Sequence, residues 1–132
     1  MIADKIVYLA DDDHDDRSMI KEALENADPD VYVIEAQNGL EVIANIQNAQ
    51  DLSNSVVIVD MRMPVRNGLE VIRILRNTPR YIQLPIIMMT GSNDEELKIE
   101  AIKAGANAFI TKPISMNTIS IIAVDIIKLF FD

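Results

Sequence analysis

Lys5-Ile6-Val7-Tyr8-Leu9-Ala10-Asp11-Asp12-Asp13 is a short apolar run that ends abruptly on consecutive carboxylates. Three further runs end in a related way. Val56-Val57-Ile58-Val59 breaks into Asp60, Ile86-Ile87-Met88-Met89 into Thr90-Gly91, and Ala108-Phe109-Ile110-Thr111 into Lys112-Pro113. Runs this short and rich in β-branched residues, separated by helical patterns, read as strands buried on both faces of a parallel sheet. Ligand sites in such sheets lie beyond the carboxyl ends of the strands. Carboxylates, a hydroxyl and an ammonium that are far apart in sequence are therefore expected to meet on one rim.

Between these runs the pattern changes to helical spacing, so strand and helix alternate five times, as in a chain of βα units. The first strand is expected over Lys5–Ala10 and a helix over Asp15–Asn26, with Met19, Ile20, Ala23 and Leu24 on one face. Asp28-Pro29-Asp30 is a turn, and Val31–Ala36 is the second strand. Helices near Leu40–Gln47 and over Leu69–Arg76 flank the third strand, and the segment 77–84, with Pro79, is a connector. Asn93 or Asp94 can cap the fourth helix and Gly105 can stop it, while Ser115 caps the last. The expected strand order is 2-1-3-4-5, which places the reactive strand ends around a topological switch point.

At 132 residues there is room for one core, and the chain reads as a single domain. No stretch approaches the roughly 20 apolar residues that span a bilayer, and the N-terminus has no signal-peptide pattern, so no membrane partner is expected. Without cysteine, disulfides and zinc–thiolate sites are excluded, and a cytoplasmic location is the default expectation. Twelve basic against 21 acidic residues give a net charge of −9, which works against binding nucleic acid through its phosphates.

If the first and third strands are neighbours, Asp11, Asp12 and Asp60 sit side by side. Crowded carboxylates repel unless a cation intervenes, and carboxylates with a carbonyl and waters suit a hard divalent ion, Mg²⁺ first. A merely solvated acidic loop is the plainer explanation. It is the weaker one, because the loop ends a buried strand and faces another such Asp. The Thr90 hydroxyl can donate to a phosphoryl oxygen, and the Lys112 ammonium can neutralise its charge. Gly91 lets backbone approach a ligand, and Pro113 fixes the loop that aims Lys112, with a cis bond as one means. Each residue alone is weak. The ordered set is far more specific.

That set resembles the response-regulator receiver domains of bacterial two-component signalling, and among them the single-domain type. The resemblance is carried by Leu9-Ala10-Asp11-Asp12-Asp13, Val59-Asp60-Met61-Arg62-Met63-Pro64, Met89-Thr90-Gly91 and Ile110-Thr111-Lys112-Pro113-Ile114. Asn67-Gly68-Leu69-Glu70 and Ala104-Gly105-Ala106 also fit. It implies an α/β fold of the (βα)5 flavodoxin-like kind, a doubly wound five-stranded parallel sheet in order 2-1-3-4-5, spanning 1–132 without an output domain. It further implies that Asp60 accepts a phosphoryl group from a phosphohistidine on a histidine kinase or histidine phosphotransfer protein. Mg²⁺ would be held by Asp11, Asp12, Asp60 and the backbone carbonyl of Arg62. Thr90 and Lys112 would hold the phosphoryl oxygens, and Thr90 and Phe109 would act as the switch. On this reading the domain is a signalling module, not an enzyme, catalysing only its own phosphorylation and dephosphorylation and answering to a downstream protein target. A phosphorelay intermediate that passes the group to a second histidine protein is the alternative.

Phe109 stands where relatives often carry Tyr, so a phenolic switch hydrogen bond is lost while ring rotation remains available. Arg62 and Ser92 flank the site and are expected to tune access of hydrolytic water. A haloacid dehalogenase-type phosphatase also uses an Asp nucleophile with Mg²⁺, but Asp60-Met61-Arg62 lacks that family's second Asp. The spacing Asp11-x-Asp13-x-Asp15 with Glu22 imitates an EF-hand loop. It has Asp16 where the turn needs Gly, and a strand where a helix should precede it. His14 reads as a solvated loop residue, and Met88-Met89 as strand filler. In the last helix, Ile119, Ile122, Ile126, Leu129 and Phe130 are expected to face the sheet. Ile121, Val124, Ile127 and Phe131 would form a second strip for the neighbouring helix, a homodimer or a partner.

Overall fold

Strand and helix alternate along the chain in the computed structural model, which describes residues 5–91, 93–113 and 115–131. The elements are β1 (Lys5–Ala10), α1 (His14–Ala27), β2 (Val31–Ala36), α2 (Gly39–Gln47), β3 (Ser55–Val59) and α3 (Gly68–Arg76). They are followed by β4 (Ile86–Thr90), α4 (Glu95–Ala104), β5 (Ala108–Thr111) and α5 (Met116–Phe130), with a 3₁₀ turn at Pro79–Tyr81 in the connector before β4. The five strands pair in the order β2-β1-β3-β4-β5, all parallel, as expected for a flavodoxin-like α/β fold. Ser92 and Ile114, which the sequence reading placed beside the site and in the Lys112 loop, lie outside the described residues.

The two-residue period of a strand sorts its side chains between two cores. Tyr8, Ala10, Val57, Val59, Ile86 and Met88 face α2 and α3, where they meet Val42, Ile46, Val71, Ile72 and Leu75. Val7, Leu9, Val56, Ile58, Ile87 and Met89 face α1 and α5, where they meet Ile20, Leu24, Ile119 and Ile126. Val56 to Val59 are all fully buried, which is why β3 shows no polar alternation in sequence. Burying such side chains contributes about 1.5–3 kcal/mol each before chain entropy is subtracted. The helix starts are set by short polar side chains: Asp13, Asn38, Asn67, Asp94 and Ser115 each accept a first-turn N–H. Gly105 ends α4 with φ 120, a conformation that side chains other than hydrogen resist.

The last helix departs from expectation at two positions. Leu129, assigned to the sheet face, is 76% exposed, and Ile127, assigned to the second strip, is 6% exposed. α5 packs chiefly against α1, and the small side chain of Ala123 is buried in the core the two helices share. At about 100° per residue the arc defined by Ile119, Ala123, Ile126 and Phe130 leans toward Ile127 and away from Leu129. Ile121 and Val124 remain exposed, and Phe131 is half-buried against the α1/α5 core. The Lys112–Pro113 bond is trans. No helix among the described residues is long and apolar enough to cross a membrane.

One loop stores strain. Val65 has φ 71, and the Arg66 N–H reaches back to the Pro64 carbonyl at 2.8 Å. Together these make a γ-turn with a positive φ at its centre, an arrangement that is rare even without a β-branched residue there. Val65 is 67% exposed, so little packing is lost on truncation. Val65→Gly is therefore expected to stabilise the fold by about 1 kcal/mol, relief of strain exceeding the entropy cost of glycine. The check is a raised urea midpoint at unchanged slope. An equal or lower midpoint would show that this φ carries no strain.

Candidate functional site

The sheet ladder runs one residue past the strands and thereby fixes the rim. The Asp11 N–H donates to the Ala36 carbonyl at 3.1 Å, Asp60 N–H to Ala10 at 3.0 Å, and Lys112 N–H to Thr90 at 2.8 Å. Since β1 lies beside β3 and β4 beside β5, the four run endings are drawn to one side of the sheet. The loop after Asp60 is held from below by α3. Asn67 and Glu70 close a reciprocal cap at its start, and the Gly68 N–H donates to the Met61 carbonyl at 3.0 Å. A Cβ on Gly68 would lie 2.5 Å from the Asp60 carbonyl oxygen, so only glycine admits the helix this close.

Lys112 is the hub. Its Nζ lies 2.7 Å from Asp11 Oδ2, 2.8 Å from Asp60 Oδ2 and 2.9 Å from Asp16 Oδ2. Asp11, Asp60 and Thr90 are buried, at 1%, 7% and 2% exposure, whereas Asp12 is exposed. Burial alone would weaken the Lys112 ammonium, but the carboxylates of Asp11, Asp60 and Asp16 beside it outweigh burial and hold the pKa above the usual lysine range. Burial pushes the Asp11 carboxyl up, with Asp60 adding to the effect. Lys112 and the Asp13 N–H, at 2.9 Å from Asp11 Oδ1, oppose the rise only in part. A carboxyl raised on folding binds protons more tightly in the folded state, so its ionisation subtracts stability as pH climbs above the ordinary Asp value of about 3.9. One ammonium faces three carboxylates at this rim, so Lys112 alone does not balance their charge.

That charge suits a divalent cation. Asp11, Asp12 and Asp60 offer carboxylate oxygens that all lie within 4.8 Å of one another. Oxygens opposite each other on one Mg²⁺ would be about 4.2 Å apart, so modest side-chain rotation closes the set. Asp11 Oδ2 is wholly buried and, although close to the Lys112 ammonium, lies outside hydrogen-bond geometry with it. Such an oxygen has a lone pair to offer. At Asp60 opens a cleft of about 320 Å³, lined also by Arg62, Thr90 and Gly91. Gly91 has nothing within 4 Å of where a Cβ would stand, leaving its side of the cleft clear. Phe109 pairs with Met88 across β4 and β5 and is half-buried against the α2/α3 core.

Asp11, Asp12, Asp60, Arg62, Thr90 and Lys112 thus stand at the rim, and Phe109 on the strand beneath it. Two that sequence reading passed over also stand there. Asp16, on the first turn of α1, entered the sequence reading only as the residue that spoils an EF-hand turn, yet its carboxylate reaches Lys112 across 96 positions. Arg17 is 7% exposed, donates to the Asp11 carbonyl at 2.7 Å and pairs with Glu35 at 3.0 Å. It pins the backbone of the β1–α1 loop to β2. A charged residue next to an acidic run looks solvated in sequence, and only the packing of α1 against β2 shows otherwise.

Comparison with known proteins adds three likenesses. The family described as response regulator receiver domain matches residues 7–123. A chemotaxis protein CheY homolog of Campylobacter jejuni is 36% identical over 107 residues, covering 81% of this chain and 80% of that protein. Chemotaxis response regulator CheY4 of Vibrio cholerae superposes with a TM-score of 0.75 at 31% identity, over 87% of this chain and 92% of that one. The phosphorylated cyanobacterial phytochrome response regulator RcpA superposes with a TM-score of 0.85 over 97% of this chain and 94% of that one, and at 23% identity is a likeness of fold.

Proposed function

The chain belongs to the response regulator receiver domain family of two-component signalling, and from that footing we propose that Asp60 is its phosphoacceptor, fed by a phosphohistidine on a histidine kinase or phosphotransfer protein. A carboxylate oxygen of Asp60 attacks phosphorus, the P–N bond to imidazole breaks as the P–O bond forms, and the imidazole leaves with the electron pair. Transfer of this kind needs positioning and charge neutralisation more than covalent help. The observation that carries the reading is the Lys112 ammonium, 2.8 Å from Asp60 Oδ2 beside an open cleft that Thr90 also lines. In the acyl phosphate, Lys112 and the Thr90 hydroxyl would bond the phosphoryl oxygens in place of the free Asp60 carboxylate. Phe109, one strand over from β4, would follow any movement of Thr90.

Mg²⁺ would be held by Asp11, Asp12, Asp60 and the Arg62 carbonyl. The chemistry it supplies when bound is neutralisation of the rim carboxylates and of the phosphoryl oxygens. Because it binds the folded rim only, millimolar Mg²⁺ should raise the melting temperature by about 4 °C. Asp12→Asn removes an exposed oxygen of the set and should erase most of that rise. A wild-type chain that melts at the same temperature with and without Mg²⁺ would show that the carboxylates do not share a metal.

Output would pass through protein contacts of this receiver, which we place in the cytoplasm. Exposed Ile121 and Val124 on α5 are the surface we assign to a downstream target or a second copy of the chain. Sedimentation velocity separates the two, because only self-association makes the coefficient climb with chain concentration. Phosphorylation itself is tested with acetyl phosphate, which dispenses with the unknown kinase, and intact mass read before and after.

A further inference from the structure

The Lys112 ammonium is hydrogen-bonded to Asp60 and Asp16 and ion-paired with Asp11, and the phosphorylation cycle would remove two of those three partners. Asp60 Oδ2, at 2.8 Å, belongs to the carboxylate that becomes the acyl phosphate. Asp11 Oδ2, at 2.7 Å, belongs to a carboxylate of the candidate cation set. Asp16 Oδ2, at 2.9 Å, belongs to neither. Its backbone is fixed independently, since the Asp16 N–H donates to the Asp13 side chain that caps α1. We propose that Asp16 is a positioning residue that keeps the Lys112 ammonium directed at the phosphoryl site throughout the cycle; this rests on the reading of Asp60 as phosphoacceptor.

A lysine is a flexible four-carbon stem with three donors, and ordering it forfeits much rotamer entropy. With Asp16 present that ordering is already complete when the phosphoryl group arrives. Without it, Lys112 is held only by the oxygens that the reaction and the cation take over. Asp16 therefore links α1 to the β5–α5 loop through the one side chain that must neutralise the incoming charge. A competing effect has the opposite sign. The Asp16 carboxylate is itself negative and could repel a phosphoryl anion, in which case it would be a brake. Geometry favours the anchor, because the charge of Asp16 is already engaged by the ammonium.

Two variants separate these roles. Asp16→Asn keeps an oxygen acceptor in place and drops the charge, whereas Asp16→Ala drops both. With acetyl phosphate and Mg²⁺, Asp16→Ala should phosphorylate about tenfold more slowly, the loss of one charge-assisted bond, and Asp16→Asn should stay within about threefold of wild type. The ¹H–¹⁵N signal of the Lys112 ammonium, assigned by its disappearance in Lys112→Met, should be sharp in wild type and Asp16→Asn. In Asp16→Ala it should be broadened away although the backbone spectrum is unchanged. An unchanged rate and an unchanged ammonium signal in Asp16→Ala overturn the anchor. So does faster phosphorylation in both variants, which would make Asp16 a brake. If the wild-type chain takes no phosphate at all, the reading of Asp60 fails, and the ammonium signal still decides whether Asp16 holds Lys112.

Discussion

Asp60→Asn is expected to take no phosphate from acetyl phosphate or from a histidine kinase, a fall of more than about a thousandfold. The substitution keeps the shape of the side chain and an oxygen for Lys112, so the fold should survive it. What disappears is the anionic oxygen that attacks phosphorus. The amide nitrogen cannot substitute, because its lone pair is delocalised and its hydrogens occupy the position of the attacking oxygen. Intact mass after incubation with acetyl phosphate and Mg²⁺ reads the result directly. The neighbouring carboxylates provide the control: Asp12 is exposed and Asp11 is buried with its Oδ1 already bonded to the Asp13 N–H. Neither combines access to the cleft with the position that Asp60 holds beneath it. Phosphate that still adds to Asp60→Asn at the wild-type rate would move the acceptor to another side chain and sink the proposed function.

Lys112→Met should be the most destabilising change at the rim. It keeps the length and apolar stem of the side chain but removes the charge that three carboxylates face. Removing one member of a buried ion pair leaves its partners uncompensated, at a cost of about 3–5 kcal/mol in a closed site. Asp16 is partly solvated and the cleft admits water, so about 2–3 kcal/mol is the expected loss in metal-free buffer at pH 7. The pH dependence follows from Asp11, whose carboxyl already sits above its ordinary value because of burial. Losing Lys112 removes the chief opposing influence and raises it further. Protonation then favours the folded state, so the deficit is full at neutral pH and shrinks as pH falls toward about 4. In wild type, the contribution of the raised lysine is intact below the ordinary lysine value of about 10.4 and is lost above it. Mg²⁺ should restore part of the deficit in the variant by supplying positive charge to the same oxygens. Denaturant titrations of both chains at pH 7 and pH 5 make the test. Equal stabilities at pH 7 would mean that the ammonium does not hold the rim together.

Most of the architecture was legible because buried parallel strands leave an unmistakable trace. Val56–Val59 has no polar alternation, and the polar residue that ends each run marks where backbone leaves the sheet. The strand order followed from a rule about switch points, and Asp11, Asp12, Asp60, Thr90 and Lys112 could be grouped before any distance was known. The last helix was harder. Nearly every residue from Ile119 to Phe131 is apolar or small, so the pattern by itself did not say which arc faces inward. The packing of α5 against α1, with Ala123 buried in their shared core, decided it, at the expense of Leu129 and in favour of Ile127.

Sequence alone determined the fold class, the rim on which the chemistry gathers and the residue types that gather there, because periodicity and strand ends are local properties. Only the tertiary structure could show how those residues share one ammonium. Asp16 and Lys112 are 96 positions apart, and nothing local to either indicates the other. Arg17 reads as a surface charge until α1 settles on β2 and turns it toward the Asp11 carbonyl. Charge balance in a buried site depends on which groups face each other across elements. That is settled by packing angles and loop paths, to which no single segment of the chain holds the key.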